Sequence, residues 1–320
     1  MHPYAALTPE VVLDAVAAPG LRPDGRLLAL SSYENRVYQV WLEDDAPPVV
    51  VKFYRPGRWS EAQIDEEHGF AKELAEREIP VVAPMHQGIF SNFSYAVYPR
   101  RGGRTPELGD PKTLAWIGRF MSRIHAVGST QPFSVREALT PQTFGREPRE
   151  YLLQTQFIPA DLLEAWKAAT QQALDLVSHC YARAGDVKAI RLHGDCHQGN
   201  ILWTDDGPHF VDLDDARMGP AVQDLWMLLS GDRPSMTRQL RAVLDGYEQF
   251  MGFDKRELNL LEALRTLRLI HYSAWIARRW DDPAFPAAFP WFNTQRYWQD
   301  RILELREQIA LMQEEPLAVD

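Results

Sequence analysis

Residues 191–215 read Arg191-Leu-His-Gly-Asp-Cys-His-Gln-Gly-Asn200-Ile-Leu-Trp-Thr-Asp-Asp-Gly-Pro-His-Phe-Val-Asp-Leu-Asp-Asp215. Asp205-Asp206-Gly207 is hairpin-turn material, because glycine accepts positive φ and short apolar runs flank it on both sides. A hairpin centred near Asp206 sets Asn200 opposite Asp212, with Asp195 just upstream of the open end. A carboxylate and an amide oxygen held together suit a hard cation such as Mg²⁺, which takes oxygen ligands and fills its shell with water and phosphate.

His193, Asp195 and Asn200 stand in the His-x-Asp-x4-Asn spacing of protein-kinase catalytic loops, where the Asp accepts the acceptor hydroxyl's proton and the Asn binds Mg²⁺. Asp212 then corresponds to the metal-binding Asp that follows. The bland alternative is a polar loop of surface carboxylates.

A kinase also needs a phosphate-binding lysine on a strand. Lys52 is the only charge in Val49-Val-Val-Lys-Phe-Tyr54, on the face shared with Val50 and Tyr54. Taken alone, it reads equally as a lysine that keeps an edge strand from aggregating. Its acidic partner should lie on the next helix, expected over 60–78 from Ile64, Phe70, Ala71 and Leu74 and stopped by Ile79-Pro80. Glu66 and Glu67 compete; Glu67, three after Ile64 and seven before Leu74, falls on the buried stripe and is the choice. The turn ahead of Lys52, Leu30-Ser-Ser-Tyr-Glu-Asn-Arg-Val-Tyr38, holds no glycine, so phosphate donors there would be Ser31, Ser32 and Asn35, with charge from Arg36. An ordinary polar turn is the competing reading.

The rest of the chain frames these residues. Its 320 residues suffice for roughly two domains at about 150 each. With 45% hydrophobic and 24% charged residues it should build a sizeable core and not be disordered. A net charge of -10 argues against a protein that grips nucleic acid. Cys180 and Cys196 make neither a disulfide framework nor a thiolate cluster, and no basic leader or run of about 18 apolar residues is seen, so a cytoplasmic protein off the membrane is expected.

Strands over 37–42, 49–54 and 93–98 with one helix fill the first hundred residues. Helices follow over 111–127, 160–183, 220–230, 235–251, 255–280 and 294–313, interrupted by short strands over 189–213. The class is α+β: residues 1–99 a small β-rich nucleotide-binding lobe, 100–109 a hinge, 110–320 a larger helical catalytic and substrate lobe. Asp281 to Pro290, rich in proline and phenylalanine, is expected as an aromatic-anchored loop.

His193-Gly-Asp-Cys-His-Gln-Gly-Asn200 with Phe210-Val-Asp-Leu-Asp-Asp215 resembles the aminoglycoside phosphotransferase and choline kinase superfamily, relatives of the eukaryotic protein kinases. Ser32-Tyr-Glu-Asn-Arg-Val-Tyr-Gln39, Val51-Lys-Phe-Tyr-Arg-Pro56, Gly219-Pro-Ala-Val-Gln-Asp-Leu-Trp-Met-Leu-Leu229 and Trp280-Asp-Asp-Pro-Ala-Phe-Pro286 narrow the likeness to its bacterial stress response kinases, over nearly the whole chain. The resemblance implies a bilobed protein-kinase-like fold. It further implies Mg²⁺-dependent transfer of the ATP γ-phosphoryl group to Ser or Thr of proteins, including the kinase itself, by a cytoplasmic monomer. By the same likeness Asp195 is the catalytic base, Asn200 and Asp212 ligate Mg²⁺, Ser32 contacts the nucleotide and Asp224 braces the catalytic loop. Protein kinases' Gly-rich loop, Asp-Phe-Gly and Ala-Pro-Glu are missing, which puts activation-loop control in doubt.

Four other readings compete. A binuclear hydrolase would use His193, Asp195 and His197 with Asp212, Asp214 and Asp215, but leaves Lys52 and Asn200 idle. Cys196-His197 as a nucleophilic pair lacks a third group. A non-catalytic binding module requires a missing catalytic residue, and none is missing. A kinase of small cationic alcohols would line its acceptor site with Asp214, Asp215, Asp281 and Asp282.

Overall fold

Alternating β-branched and aromatic residues make Arg36–Leu42 (β2) and Val49–Phe53 (β3) an antiparallel hairpin, with Val37 opposite Lys52. In this computed structural model, which describes residues 3–319, they sit inside a five-stranded sheet. Its other strands are Pro23–Ala29 (β1), His86–Phe90 (β4) and Phe93–Pro99 (β5), in the order β1-β2-β3-β5-β4. β1 and β4 were not expected. Both are edge strands with mostly exposed side chains, so neither carries the apolar alternation by which a strand is recognised. Pro9–Ala17 (α1), also unexpected, packs Val12, Ala15 and Val16 into a core with Val40, Val51, Phe53 and Val97. Glu61–Glu76 (α2) starts at a capping box between Ser60 and Gln63 and buries Ile64, Glu67, Phe70 and Leu74.

Contacts divide the chain into two units, Met1–Pro106 with Gly199–Asp214, and Glu107–Gln198 with Asp215–Asp320. The hairpin of Ile201–Thr204 (β7) and Gly207–Phe210 (β8) thus belongs to the first unit, with isolated bridges from Phe210 to Val81 and from Trp203 to Arg104, both outside the five strands.

The second unit is helical: Pro111–Gly128 (α3), Glu147–Gln154 (α4), Leu163–Ala184 (α5), Val222–Trp226 (α6), Arg233–Tyr247 (α7), Leu261–Ala277 (α8), Ala284–Ala288 (α9) and Gln295–Leu311 (α10). Ile190–Leu192 (β6) pairs with Arg217–Gly219 (β9). α3 and α7 meet backbone to backbone, since a methyl group at Gly118 would overlap the Val243 carbonyl and one at Gly246 that of Ala115. Three expectations need correction. The helix expected over 220–230 contracts to one short turn, and that over 255–280 opens as a 3-10 turn, Lys255–Leu260, capped by Asp254. The Pro-rich segment after Asp281 contains α9, whose prolines fall where their missing N–H is tolerated, and Phe285, Phe292 and Trp298 are buried core. Among the described residues no helix is long and apolar enough to cross a membrane.

Candidate active site

Strand alternation puts Lys52 and Val50 on the cavity side of β3, and helical spacing puts Glu67 on the buried side of α2. Lys52 Nζ lies 3.3 Å from Glu67 Oε1, 3.3 Å from Asp212 Oδ1 and 3.6 Å from Asp214 Oδ1. Burial is the largest influence on this lysine and works against its charge. The surrounding groups, Glu67 foremost, outweigh it and hold the pKa well above the ordinary lysine range. The ammonium is therefore a fixed positive charge.

A second layer lies beside Glu67. The Tyr54 hydroxyl is 3.2 Å from Glu67 Oε1 and 2.7 Å from His68 Nε2. Gln87 donates its amide to Asp65, so its oxygen faces His68 Nδ1 at 2.8 Å; that nitrogen donates and Nε2 accepts from Tyr54. Burial, aided by Lys52, pulls the His68 pKa down to about 4, keeping the ring neutral in this role.

Around Lys52 a cavity of about 430 Å³ opens within the first unit. Leu30, Val37, Val50, Val82 and Leu202 give it an apolar part, and Ser31, Ser32, Lys52, Asn200 and Asp212 a polar one. The expected pairing of Asn200 with Asp212 is off by one residue. The turn has two central residues, so Ile201 pairs with Phe210, and Val211 N–H donates to the Asn200 carbonyl at 3.0 Å. Such a slip normally sends a side chain to the opposite face. Asp212 has a φ of 62°, which breaks the strand alternation, and its side chain lines the same cavity as that of Asn200.

The glycine-free turn works differently from expectation. Asn35 is buried, accepting from the Arg55 N–H at 3.1 Å and donating to Asp214 Oδ2 at 3.2 Å, so it staples the turn. Arg36 turns to the carbonyls of Tyr33 and Asn35 and over the Tyr4 ring. Ser32 lines the cavity and donates to the Asn35 carbonyl at 3.1 Å. Asp214 is not a surface carboxylate: it is 3% exposed and ion-paired with Arg58 and Lys52. Sequence reasoning missed Arg58, which no motif marks.

In the second unit the loop that contains Asp195 hangs on Asp224, which is fully buried. Its carboxylate accepts the N–H of His193 at 2.9 Å and of Gly194 at 2.8 Å, and His125 Nε2 donates to it at 3.0 Å. Gly194 has a φ of +87°, and a Cβ there would overlap the Asp215 carbonyl oxygen. Asp195 Oδ1 lies 2.7 Å from Arg268 Nη1 of α8, and Oδ2 lies 3.6 Å from His197 Nε2. Arg268, one of two arginines in α8, gave no sequence signal for this pair. Cys196 is fully buried, and burial and then Asp224 raise its thiol pKa far above the ordinary range, so it is no nucleophile.

The donors suit what the sequence implies. Asn200 and Asp212 offer amide and carboxylate oxygens, the chemistry Mg²⁺ selects, in a cavity that also holds a fixed cation. Among the described residues no three His, Cys, Asp or Glu side chains converge as a binuclear metal site requires.

Residues 26–261 match the model of the phosphotransferase enzyme family. The chain is 44% identical over 323 residues to stress response kinase A of Escherichia coli strain K12, covering 98% of this chain and 96% of that protein. Identity and coverage are the same for the serine/threonine protein kinase RdoA of Salmonella typhimurium, 44%, 98% and 96%. Among solved structures, amicoumacin kinase hAmiN is similar with a TM-score of 0.72 at 17% identity, covering 97% of this chain and 94% of that one. A microcompartment-associated aminopropanol kinase reaches 0.68 at 16%, covering 94% and 96%.

Proposed function

The chain belongs to the phosphotransferase enzyme family, in the branch of stress response kinase A, and on that premise we propose that it is an ATP- and Mg²⁺-dependent serine/threonine protein kinase. The observation that carries the reading is the position of Lys52, 3.3 Å from both Glu67 and Asp212 in the cavity that Asn200 also lines. The relatives' names, stress response kinase A and serine/threonine protein kinase RdoA, support a protein acceptor and a role in stress. In this reading the enzyme acts in the cytoplasm as a monomer and also phosphorylates itself.

Phosphoryl transfer needs little covalent help from a protein; the barrier lies in alignment and in neutralising charge. Lys52, fixed as a cation, binds the α and β phosphates, and Glu67 keeps its amine from swinging away. The apolar part of the cavity takes the adenine, and Ser32, whose hydroxyl is engaged by the Asn35 carbonyl, offers its backbone N–H to phosphate oxygens. Asn200 and Asp212 hold the metal, which when bound neutralises charge on the phosphate oxygens. Asp195 orients the acceptor hydroxyl and takes its proton.

The test uses labelled ATP and Mg²⁺ with the protein alone, with generic protein substrates and with small alcohols. Label is expected in the protein itself and in protein substrates, and lost in Asp195→Asn and Asp212→Asn, with Asp212→Asn also weakening Mg-ATP binding. Transfer to a small alcohol without protein phosphorylation overturns the protein-kinase reading.

A further inference from the structure

Carboxylates are one way for a kinase to hold the charge of a cationic alcohol; of the four that the sequence offered, three are paired or buried and one is exposed. Asp214 is ion-paired with Arg58 and Lys52 in the first unit. Asp215 Oδ1 is 2.7 Å from Arg217 Nη2, and that guanidinium packs over the Phe144 ring. Asp282 is 1% exposed and accepts the Ala284 N–H at 3.1 Å. Asp281 lies on the exposed surface.

The base itself carries a cation. Arg268 Nη1 stands 2.7 Å from Asp195 Oδ1, and the two side chains are 37% and 22% exposed. Arg268 projects from α8, whose Leu264, Leu267 and Ile270 are buried, so the guanidinium is presented by a rigid element. A hydroxyl approaching Asp195 must arrive beside this charge.

We propose that Arg268 determines acceptor specificity: its guanidinium beside Asp195 repels acceptors with an ammonium group near the reacting hydroxyl and favours hydroxyls in neutral or acidic surroundings. The proposal rests on the reading of Asp195 as the base and deepens it by naming the acceptor class. Among peptides, it selects Ser or Thr flanked by Asp or Glu over the same residue flanked by Lys or Arg.

The experiment compares pairs that differ only in charge, each measured as substrate and as inhibitor of autophosphorylation: one Ser peptide with Asp or Lys flanks, and choline against its neutral isostere 3,3-dimethylbutan-1-ol. The wild-type enzyme should favour the acidic or neutral member by about tenfold or more, from like-charge repulsion at close range. Arg268→Gln should reduce that preference to about twofold or less, and Arg268→Lys, which keeps the charge, should retain most of it. Equal use of both members by the wild type, or an unchanged preference in Arg268→Gln, overturns the proposal. Mg-ATP binding and melting temperature of each variant separate a folding defect from a change of selectivity. Asp195→Asn separates the two claims: transfer surviving in it sinks the base assignment, whereas a dead Asp195→Asn with unchanged selectivity in Arg268→Gln sinks the specificity role alone.

Discussion

Asp224 Oδ1 accepts the backbone N–H of Gly194 at 2.8 Å, one residue before Asp195. The other oxygen takes the His193 N–H at 2.9 Å and His125 at 3.0 Å, so one buried carboxylate fixes the backbone next to Asp195, the proposed base. Asp224→Ala strands two buried N–H donors and an imidazole, which should cost about 3 kcal/mol or more. Urea unfolding measures the cost, and a variant as stable as wild type would refute the bracing role. Asp224→Asn, which keeps one good acceptor, should lose less stability but still slow transfer.

Gly194→Ala tests the same loop without touching a functional group. Its φ of +87° and the overlap with the Asp215 carbonyl both oppose a side chain. The residues assigned to nucleotide and metal lie in the other unit, so transfer should fall at least about a hundredfold while Mg-ATP binding stays close to wild type. Calorimetric titration together with steady-state rates reads both.

The residues that carried chemistry in the sequence were those at fixed short spacing, Asp195 to Asn200 and on to Asp212, and those on regular elements, Lys52 on a strand and Glu67 on a helical stripe. Tertiary partners were not legible. Arg58, Arg268 and the Tyr54–His68–Gln87 chain approach from elements far away in sequence, so no local pattern marks them. Hairpin register failed for a local reason: whether a turn closes on two or three residues shifts the opposite partner by one, and composition does not decide it. Edge strands β1 and β4 were lost because exposed strands lack apolar alternation.

Lys52 and Glu67 should act as a unit. Lys52→Met removes the charge proposed to bind phosphate and should lower kcat/KM about a hundredfold or more. Glu67→Gln leaves the ammonium in place without its strongest partner, so the loss should be smaller and fall mainly on KM for ATP. In the double variant the loss should match that of Lys52→Met alone, because a partner has no effect once the group it holds is gone. Additive losses from the two substitutions would mean that Glu67 acts on its own.

Glu257 gives the fold a pH dependence of definite sign. It is 4% exposed and accepts the Val222 N–H at 2.8 Å, at the start of the short helix that carries Asp224. Burial lifts its carboxyl from the ordinary glutamate range to about 7. The unfolded chain releases this proton at lower pH, so between the two values the native state binds more protons and stability falls as pH rises. The contribution is fully present below the unfolded pKa and is lost as pH passes through about 7. Glu257→Gln removes the titration while keeping an oxygen for Val222. It should match wild type near about pH 4 and exceed it by up to roughly 3 kcal/mol near about pH 8. Urea unfolding across that range measures the difference, and parallel curves for the two proteins would show that Glu257 does not hold a proton in the native state.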